Sequence, residues 1–168
     1  MKVSDAIGTM LAVREYRDTP IAEDMVRNIL EAGRLTGSSR NRQPWHFVVV
    51  QDRETLKQLG QLASTGAYIA HAPMAVAVLV PEQGPGTFDG ARAIQDMMLV
   101  AWEAGIGSNV VTNVDTPEVR ALLGVPAELN VLAVVPFGYP ARSIGRKVRK
   151  PLAEIAHRGR FGVPFVSA

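Results

Sequence analysis

Thr36-Gly37-Ser38-Ser39-Arg40-Asn41-Arg42-Gln43-Pro44-Trp45-His46-Phe47-Val48-Val49-Val50 starts where a helical pattern stops and ends in an unbroken β-branched run. It reads as a helix-to-strand loop whose loop half is crowded with short hydrogen-bonding side chains: Ser38, Ser39, Asn41 and Gln43. A bare connection of this kind needs only about 2–6 residues and one or two turn formers. Such a density of polar groups suits either a tightly capped turn or a loop that grips a polar ligand through several contacts. The continuous Val-Val-Val implies a strand over 47–51 that is buried on both faces.

Working outward, Ser4 is placed to cap a first helix with Ala6, Ile7, Met10 and Leu11 on one face, running out near Ala12–Val13. Thr19-Pro20 has the character of N-cap and N1 for a second helix, with Glu23 and Asp24 in its first turn and Gly37 as its stop. Beyond the loop, an amphipathic helix over 54–62 is followed by an apolar strand over 74–80. The clearest helix spans 89–104. It is apolar nearly all round, the pattern of a central core helix or of one packed on a second subunit. Its adjacent Met97 and Met98 read as gap-filling core residues, and Gly105 ends it. Residues 108–112 are β-prone, Thr116-Pro117-Glu118 starts a short helix that Gly124 stops, and a strand over 130–137 closes at Gly138-Tyr139-Pro140. Helices and strands mix without strict alternation, so the expected class is α+β or a mixed three-layer sandwich, not a doubly wound parallel sheet.

At 168 residues the chain has the size of a single domain, 1–168. With 47% hydrophobic and 20% charged residues its composition is that of a globular protein. No apolar run reaches the roughly 18 residues that span a bilayer, and the start lacks a signal-peptide pattern. The chain has no cysteine, which removes disulfides, thiolate metal sites and a cysteine nucleophile and fits a cytoplasmic location. The three histidines, His46, His71 and His157, do not pair at helical spacing, so no metal site is expected.

Charge is unevenly placed. Residues 139–168 hold seven basic side chains (Arg142, Arg146, Lys147, Arg149, Lys150, Arg158 and Arg160) against one acid, Glu154, while the remainder holds eleven basic against fifteen acidic. A basic tail on an acidic body suits a phosphate-bearing small molecule or a docking subunit. It does not suit nucleic acid, because the tail lacks interleaved aromatics and the body has the wrong sign. The nucleophile-elbow, Walker and zinc-protease motifs are all missing. Gly105-Ile106-Gly107 follows a helix instead of a strand, the wrong context for a dinucleotide fingerprint. A chain without its own nucleophile, metal or general base points to chemistry borrowed from an organic cofactor.

Several landmarks then stand together. They are Arg14-Glu15-Tyr16 before Asp18-Thr19-Pro20, the Ser38–Trp45 loop feeding a Val-rich strand, and the Asp89 helix running into Gly105-Ile106-Gly107-Ser108. Phe137-Gly138-Tyr139-Pro140 before Lys147-Val148-Arg149-Lys150-Pro151-Leu152 completes the set. In this order, and over nearly the whole chain, they resemble the nitroreductase-like flavoproteins. The resemblance implies a three-layer sandwich with a mixed central β-sheet flanked by helices and a C-terminal tail extending over a dimer partner. It also implies an FMN-dependent oxidoreductase that moves hydride from NAD(P)H through flavin N5 to a nitroaromatic, quinone or similar acceptor by a ping-pong mechanism. Flavin would sit at the interface of a homodimer.

By the same resemblance Lys147 and Arg149 are the phosphate-binding pair, with a solvated basic surface as the plainer reading. Arg14 is the cation at the flavin's pyrimidine edge, or else a cap on the first helix. Ser38, Ser39 and Asn41 belong to the loop that reaches the flavin of the other subunit, with Gln43 ordering it. Val110, Val111 and Thr112 lie along one face of the ring. The catalytic set holds no residue beyond Arg14, which tunes the ring. Trp45 and Trp102 read as packing residues. The chain departs from the family where two basic residues and a serine are common before Arg14, for it has Met10-Leu11-Ala12. That departure leaves open a deazaflavin-using or otherwise specialised flavin enzyme of the same fold, or a flavin-binding protein without turnover.

Overall fold

The computed structural model describes residues 1–165. Helix α1 (Val3–Thr9) starts two residues earlier than a Ser4 cap would place it, with Lys2 at the N-cap position, and ends three residues early because the chain turns extended at Met10. Helix α2 (Glu23–Leu35) starts later than expected, with Ala22 and not Thr19 at the N-cap position, Thr19-Pro20 belonging to the extended approach, and Thr36 is its C-cap. A 3-10 turn, Ser39–Asn41, follows and leads to β1 (His46–Val50). Asp52 caps α3 (Arg53–Leu62) by accepting the Thr55 N–H, and a second 3-10 turn over Ala67–His71, absent from the sequence reading, leads into β2 (Met74–Pro81).

Helix α4 (Gly86–Glu103) ends at Ala104, with Gly105 at φ +77° taking the left-handed position that suits glycine. Strand β3 (Gly107–Ser108) is short. Thr116 caps α5 (Pro117–Leu123), which Gly124 closes, and β4 (Leu129–Gly138) and α6 (Leu152–Ile155) complete the chain.

The sheet order is β1-β2-β4-β3. All three pairings are antiparallel, so among the described residues the mixed character is confined to one parallel bridge, Ala12 to Ser108. In β2 the period of two sorts side chains cleanly. Met74, Val76 and Val78 face α2 and α4, with Ile29 and Met97 packed against them, while Ala75, Ala77 and Leu79 face the side of α3 and α5, with Leu56 and Leu59. Strand β4 changes phase at a bulge, where Val78 pairs with Ala133 but Leu79 pairs with Val131. Leu129 and Val131 therefore join the α3/α5 layer, and Ala133, Val135 and Phe137 join the α2/α4 layer. Burying each of the larger apolar side chains in these layers, such as Val76, Leu79 or Phe137, contributes roughly 1.5–3 kcal/mol.

One expectation about β1 is corrected. Its Val-Val-Val run lies on the edge of the sheet, and Phe47, Val48 and Val49 are only half-buried. The doubly buried strand is β2, in which Met74 through Val80 are all buried. Apolar continuity marks a strand but does not say whether a second neighbour covers it.

Candidate functional site

After α1 the chain runs extended along the end of the sheet. Val13 N–H donates to Ser108 O at 2.9 Å. This close approach requires Gly107, where a Cβ would sit 2.3 Å from the Val13 side chain. Next to it, Arg17 N–H donates to Tyr139 O and Ala141 N–H to Glu15 O, at 2.8 and 2.9 Å, stitching the start of the basic tail to the Arg14 segment. Between the two strips lies a concavity of about 480 Å³ lined by Leu11, Ala12, Arg14, Glu15, Arg142 and Gly145, among others. Ile144 and Gly145 separate it from a second hollow that holds Thr9, Arg146 and Lys147.

The fold thus brings Arg14 and Lys147, from opposite ends of the chain, to adjoining hollows. Lys147 Nζ donates to Ile7 O, one of the open carbonyls at the C-terminal end of α1. Arg142 Nε pairs with Glu15 Oε2 at 2.7 Å, both exposed. Arg149 is exposed outside both hollows, with its Nη1 turned back on Val148 O. Of the departure Met10-Leu11-Ala12, Met10 packs on the α2/α4 core, whereas Leu11 and Ala12 form the apolar wall of the first hollow.

Arg14 does not cap α1. Its guanidinium carbon lies 5.8 Å from the centroid of the Tyr68 ring. The Tyr68 hydroxyl accepts a hydrogen bond from Asn109 Nδ2 at 2.5 Å. Tyr16 lies underneath, buried, and donates its hydroxyl to Val13 O at 2.6 Å. Burial pushes the Tyr16 phenol well above the ordinary tyrosine range; Tyr68 adds to the rise and Arg14 opposes it.

The Ser38–Gln43 loop is elsewhere. Ser39 N–H donates to Asp89 Oδ2 at 3.0 Å, in the first turn of α4, and Gln43 N–H donates to Ser38 Oγ at 2.9 Å. Arg40, Asn41 and Gln43 take φ of +53°, +53° and +49°, a strained turn for residues other than glycine. Trp102, near the other end of α4, donates its indole N–H to Thr9 Oγ1 at 2.9 Å. With 1.5 Å of rise per residue, Asp89 and Trp102 are separated by about 20 Å of helix. Within one chain the loop and the Arg14 hollow are therefore held at opposite ends of α4.

The Val110–Thr112 segment divides three ways. Val110 is exposed. Val111 is buried, with its N–H and C=O both bonded to Val134 in the sheet, so this peptide has no N–H left for a ligand. Thr112 is exposed in a separate hollow beside Thr87 and Asn130. Trp45 is buried and Trp102 is half-buried, tied to Thr9. Tyr68, Asn109 and Asp89 went unread in the sequence as site residues. For Asp89 there was a signal, a lone acid among glycines and apolar residues at the head of a core helix; Tyr68 and Asn109 had none.

The sequence model of the Nitroreductase family matches residues 11–87 and 87–139. A provisionally named NADH dehydrogenase/NAD(P)H nitroreductase of Methanothermobacter thermautotrophicus is 33% identical over 157 residues, covering 88% of this chain and 82% of its own. The FMN reductase [NAD(P)H] of Bacillus subtilis is 24% identical over 175 residues, covering 89% of this chain and 70% of its own. Among solved structures, a provisionally named NADH dehydrogenase/NAD(P)H nitroreductase of Parabacteroides distasonis superposes with a TM-score of 0.87 at 26% identity, over 94% of this chain and 98% of its own. With its three layers, its Arg14 cleft and a family match over most of its length, the chain belongs to the Nitroreductase family.

Proposed function

We propose that the protein is an FMN-dependent oxidoreductase of the nitroreductase type, taking hydride from NAD(P)H and delivering it to a nitroaromatic, quinone or similar acceptor. The observation that carries this reading is the convergence of Arg14 and Lys147 on adjoining hollows, in a chain whose relatives are named as NAD(P)H nitroreductase and FMN reductase. The residues fit the cofactor. Arg142, Arg146 and Lys147 form a cationic run suited to a dianionic phosphate, and the hollow's volume is in the range of small-ligand sites.

Bound FMN would supply the two-electron chemistry, so the chain needs no nucleophile or metal of its own. Lys147, with Arg146 and Arg142, would hold the phosphate. Arg149 would join only if the exposed tail shifts toward the hollow. Arg14 would sit at the pyrimidine edge as a fixed cation, favouring the charge that develops there on reduction. Val110, next to Asn109, would border the ring with Val111 supporting it from the sheet, whereas Thr112 lies in the separate hollow beside Thr87 and Asn130 and would not reach it.

A homodimer is part of this reading, and the same geometry supports it. The Ser38, Ser39, Asn41 and Gln43 groups can serve the Arg14 hollow only from a second copy, since about 20 Å of α4 separates them in one chain. A two-fold axis across α4 would bring one protomer's loop to its partner's cleft. The tail supports this, for Val148, Leu152, Ile155 and Phe161 are apolar and 79%, 56%, 60% and 91% exposed, as befits an arm that lies over a partner.

The test is to purify the protein, record its visible spectrum, denature it and identify the released chromophore. Flavin bands with released FMN, a mass of two chains in solution, and parallel double-reciprocal lines with NAD(P)H and a quinone are expected. A colourless protein that also takes up no added FMN overturns the reading, and intersecting lines overturn a single shared cleft.

A further inference from the structure

The segment Gly107–Asn109 holds Arg14 from two sides. Ser108 O takes the N–H of Val13, fixing the backbone just before Arg14. Asn109 Nδ2 binds the Tyr68 hydroxyl, and the Tyr68 ring lies 5.8 Å from the Arg14 guanidinium carbon. Among the described residues Arg14 takes part in no ion pair, while its neighbour Glu15 is engaged by Arg142. An aromatic face orients a guanidinium without neutralising it, whereas a carboxylate partner would cancel its field.

We propose that Tyr68, braced by Asn109, is a positioning residue that holds the Arg14 cation uncompensated at the flavin's pyrimidine edge and so sets how strongly the site favours reduced over oxidised flavin. The proposal rests on the FMN reading above. Tyr68 does not touch the reacting atoms in this account; it acts through Arg14. A loosely held arginine would spread over several rotamers and be partly screened by solvent, and its preference for the negatively charged reduced ring would weaken.

The experiment uses FMN itself, first with the wild-type protein. Dissociation constants for oxidised and reduced FMN are measured by flavin fluorescence and by anaerobic titration, and their ratio is compared between variants. Tyr68→Leu is expected to lower the preference for reduced FMN about two- to fivefold, the size of an exposed cation–π contact. A fivefold change corresponds to a midpoint potential about 20 mV lower for this two-electron couple. Tyr68→Phe, which keeps the ring and loses only the Asn109 anchor, should shift the ratio less and in the same direction, as should Asn109→Ala. On an Arg14→Met background, Tyr68→Leu should produce no further shift.

Wild-type protein that binds no FMN overturns the functional reading and this proposal together. Wild-type protein that binds FMN while Tyr68→Leu leaves the ratio unchanged, or shifts it equally without Arg14, overturns the proposal alone. Should Tyr68→Leu fail to fold, Tyr68→Phe and Asn109→Ala decide it: no shift from either overturns the brace.

Discussion

Asp89 Oδ2 accepts the backbone N–H of Ser39 at 3.0 Å, and Asp89 is only 1% exposed at the head of α4, a largely apolar helix. A buried carboxyl group is costly unless it is bonded, and here it joins the first turn of α4 to a loop with three non-glycine residues at positive φ. Asp89→Ala removes the acceptor and is expected to lower stability by about 1.5–3 kcal/mol, with Asp89→Asn recovering part because it keeps an oxygen. Urea unfolding of the three proteins checks this. Equal midpoints for Ala and Asn would show that the contact is incidental.

Gly107 is a packing requirement. A Cβ there meets Val13 Cγ2 at 2.3 Å, too close for a β-branched side chain on a strand held by hydrogen bonds to yield. Gly107→Ala should cost about 1–3 kcal/mol by overpacking, with much of the loss restored by Val13→Ala in the double variant. Thermal melts measure both. Additive losses would mean the two positions do not meet.

The raised Tyr16 phenol predicts an alkaline limit to stability. Its folded pKa is raised by burial above the ordinary value of 10.0. Above that ordinary value the unfolded chain releases this proton while the folded chain keeps it, so folding stability is complete below about pH 10 and falls as pH rises further. Absorbance at the tyrosinate band should show one of the three tyrosines titrating late and together with unfolding. Tyr16→Phe should flatten the alkaline loss while lowering stability at neutral pH by about 1–3 kcal/mol, because Val13 O loses its donor. An alkaline slope identical in that variant would assign the limit to other groups.

The Met10-Leu11-Ala12 departure can be reversed at one position and not at another. Leu11 lines the Arg14 hollow, so Leu11→Arg adds a cation to it and should tighten FMN roughly tenfold through one charge-assisted bond. Met10 packs on the core, so Met10→Arg should instead lower the melting temperature. Fluorescence titration and a thermal melt separate the two outcomes. Unchanged FMN affinity in Leu11→Arg would place the phosphate away from that wall.

Glu15 pairs with Arg142, a side chain proposed to hold the FMN phosphate, and on that reading would compete with the cofactor for it. The pair is exposed at 78% and 56%, so its contribution to stability is about 0–1 kcal/mol. Glu15→Gln should leave the melt nearly unchanged and strengthen FMN binding, with the gain shrinking as salt is raised. Weaker binding in this variant would mean that the pair shapes the cleft and does not compete with its ligand.

Sequence by itself determined the class of the fold and the places of its main elements. The apolar run of β2, the apolar girth of α4, Thr116-Pro117 opening α5, and the stops at Gly105 and Gly124 are local patterns, and local sterics and hydrogen bonding are enough to produce them. The motifs also sufficed to indicate the family, because they keep their order along the chain. Helix starts were less legible. Thr19-Pro20 has the chemistry of a helix start, yet α2 begins at Glu23, where the chain first turns to lay Val26 and Ile29 on the core.

Only the tertiary structure decided which residues meet. That β1 is an edge strand depends on what lies beside it, and a run of valines carries no such information. The bulge that switches β4 from one layer to the other is invisible in an uninterrupted apolar run. Val111 looked like part of a ligand-facing segment, but its peptide is bonded to Val134, a partner 23 positions away. Tyr68 meets Arg14, and Asn109 meets Tyr68, through contacts between distant stretches, and such contacts leave no periodic mark on any one of them. Local patterning is written in neighbouring residues. The cleft is made by segments that the sheet brings together, and the separation of the Ser38 loop from it follows from the length of α4.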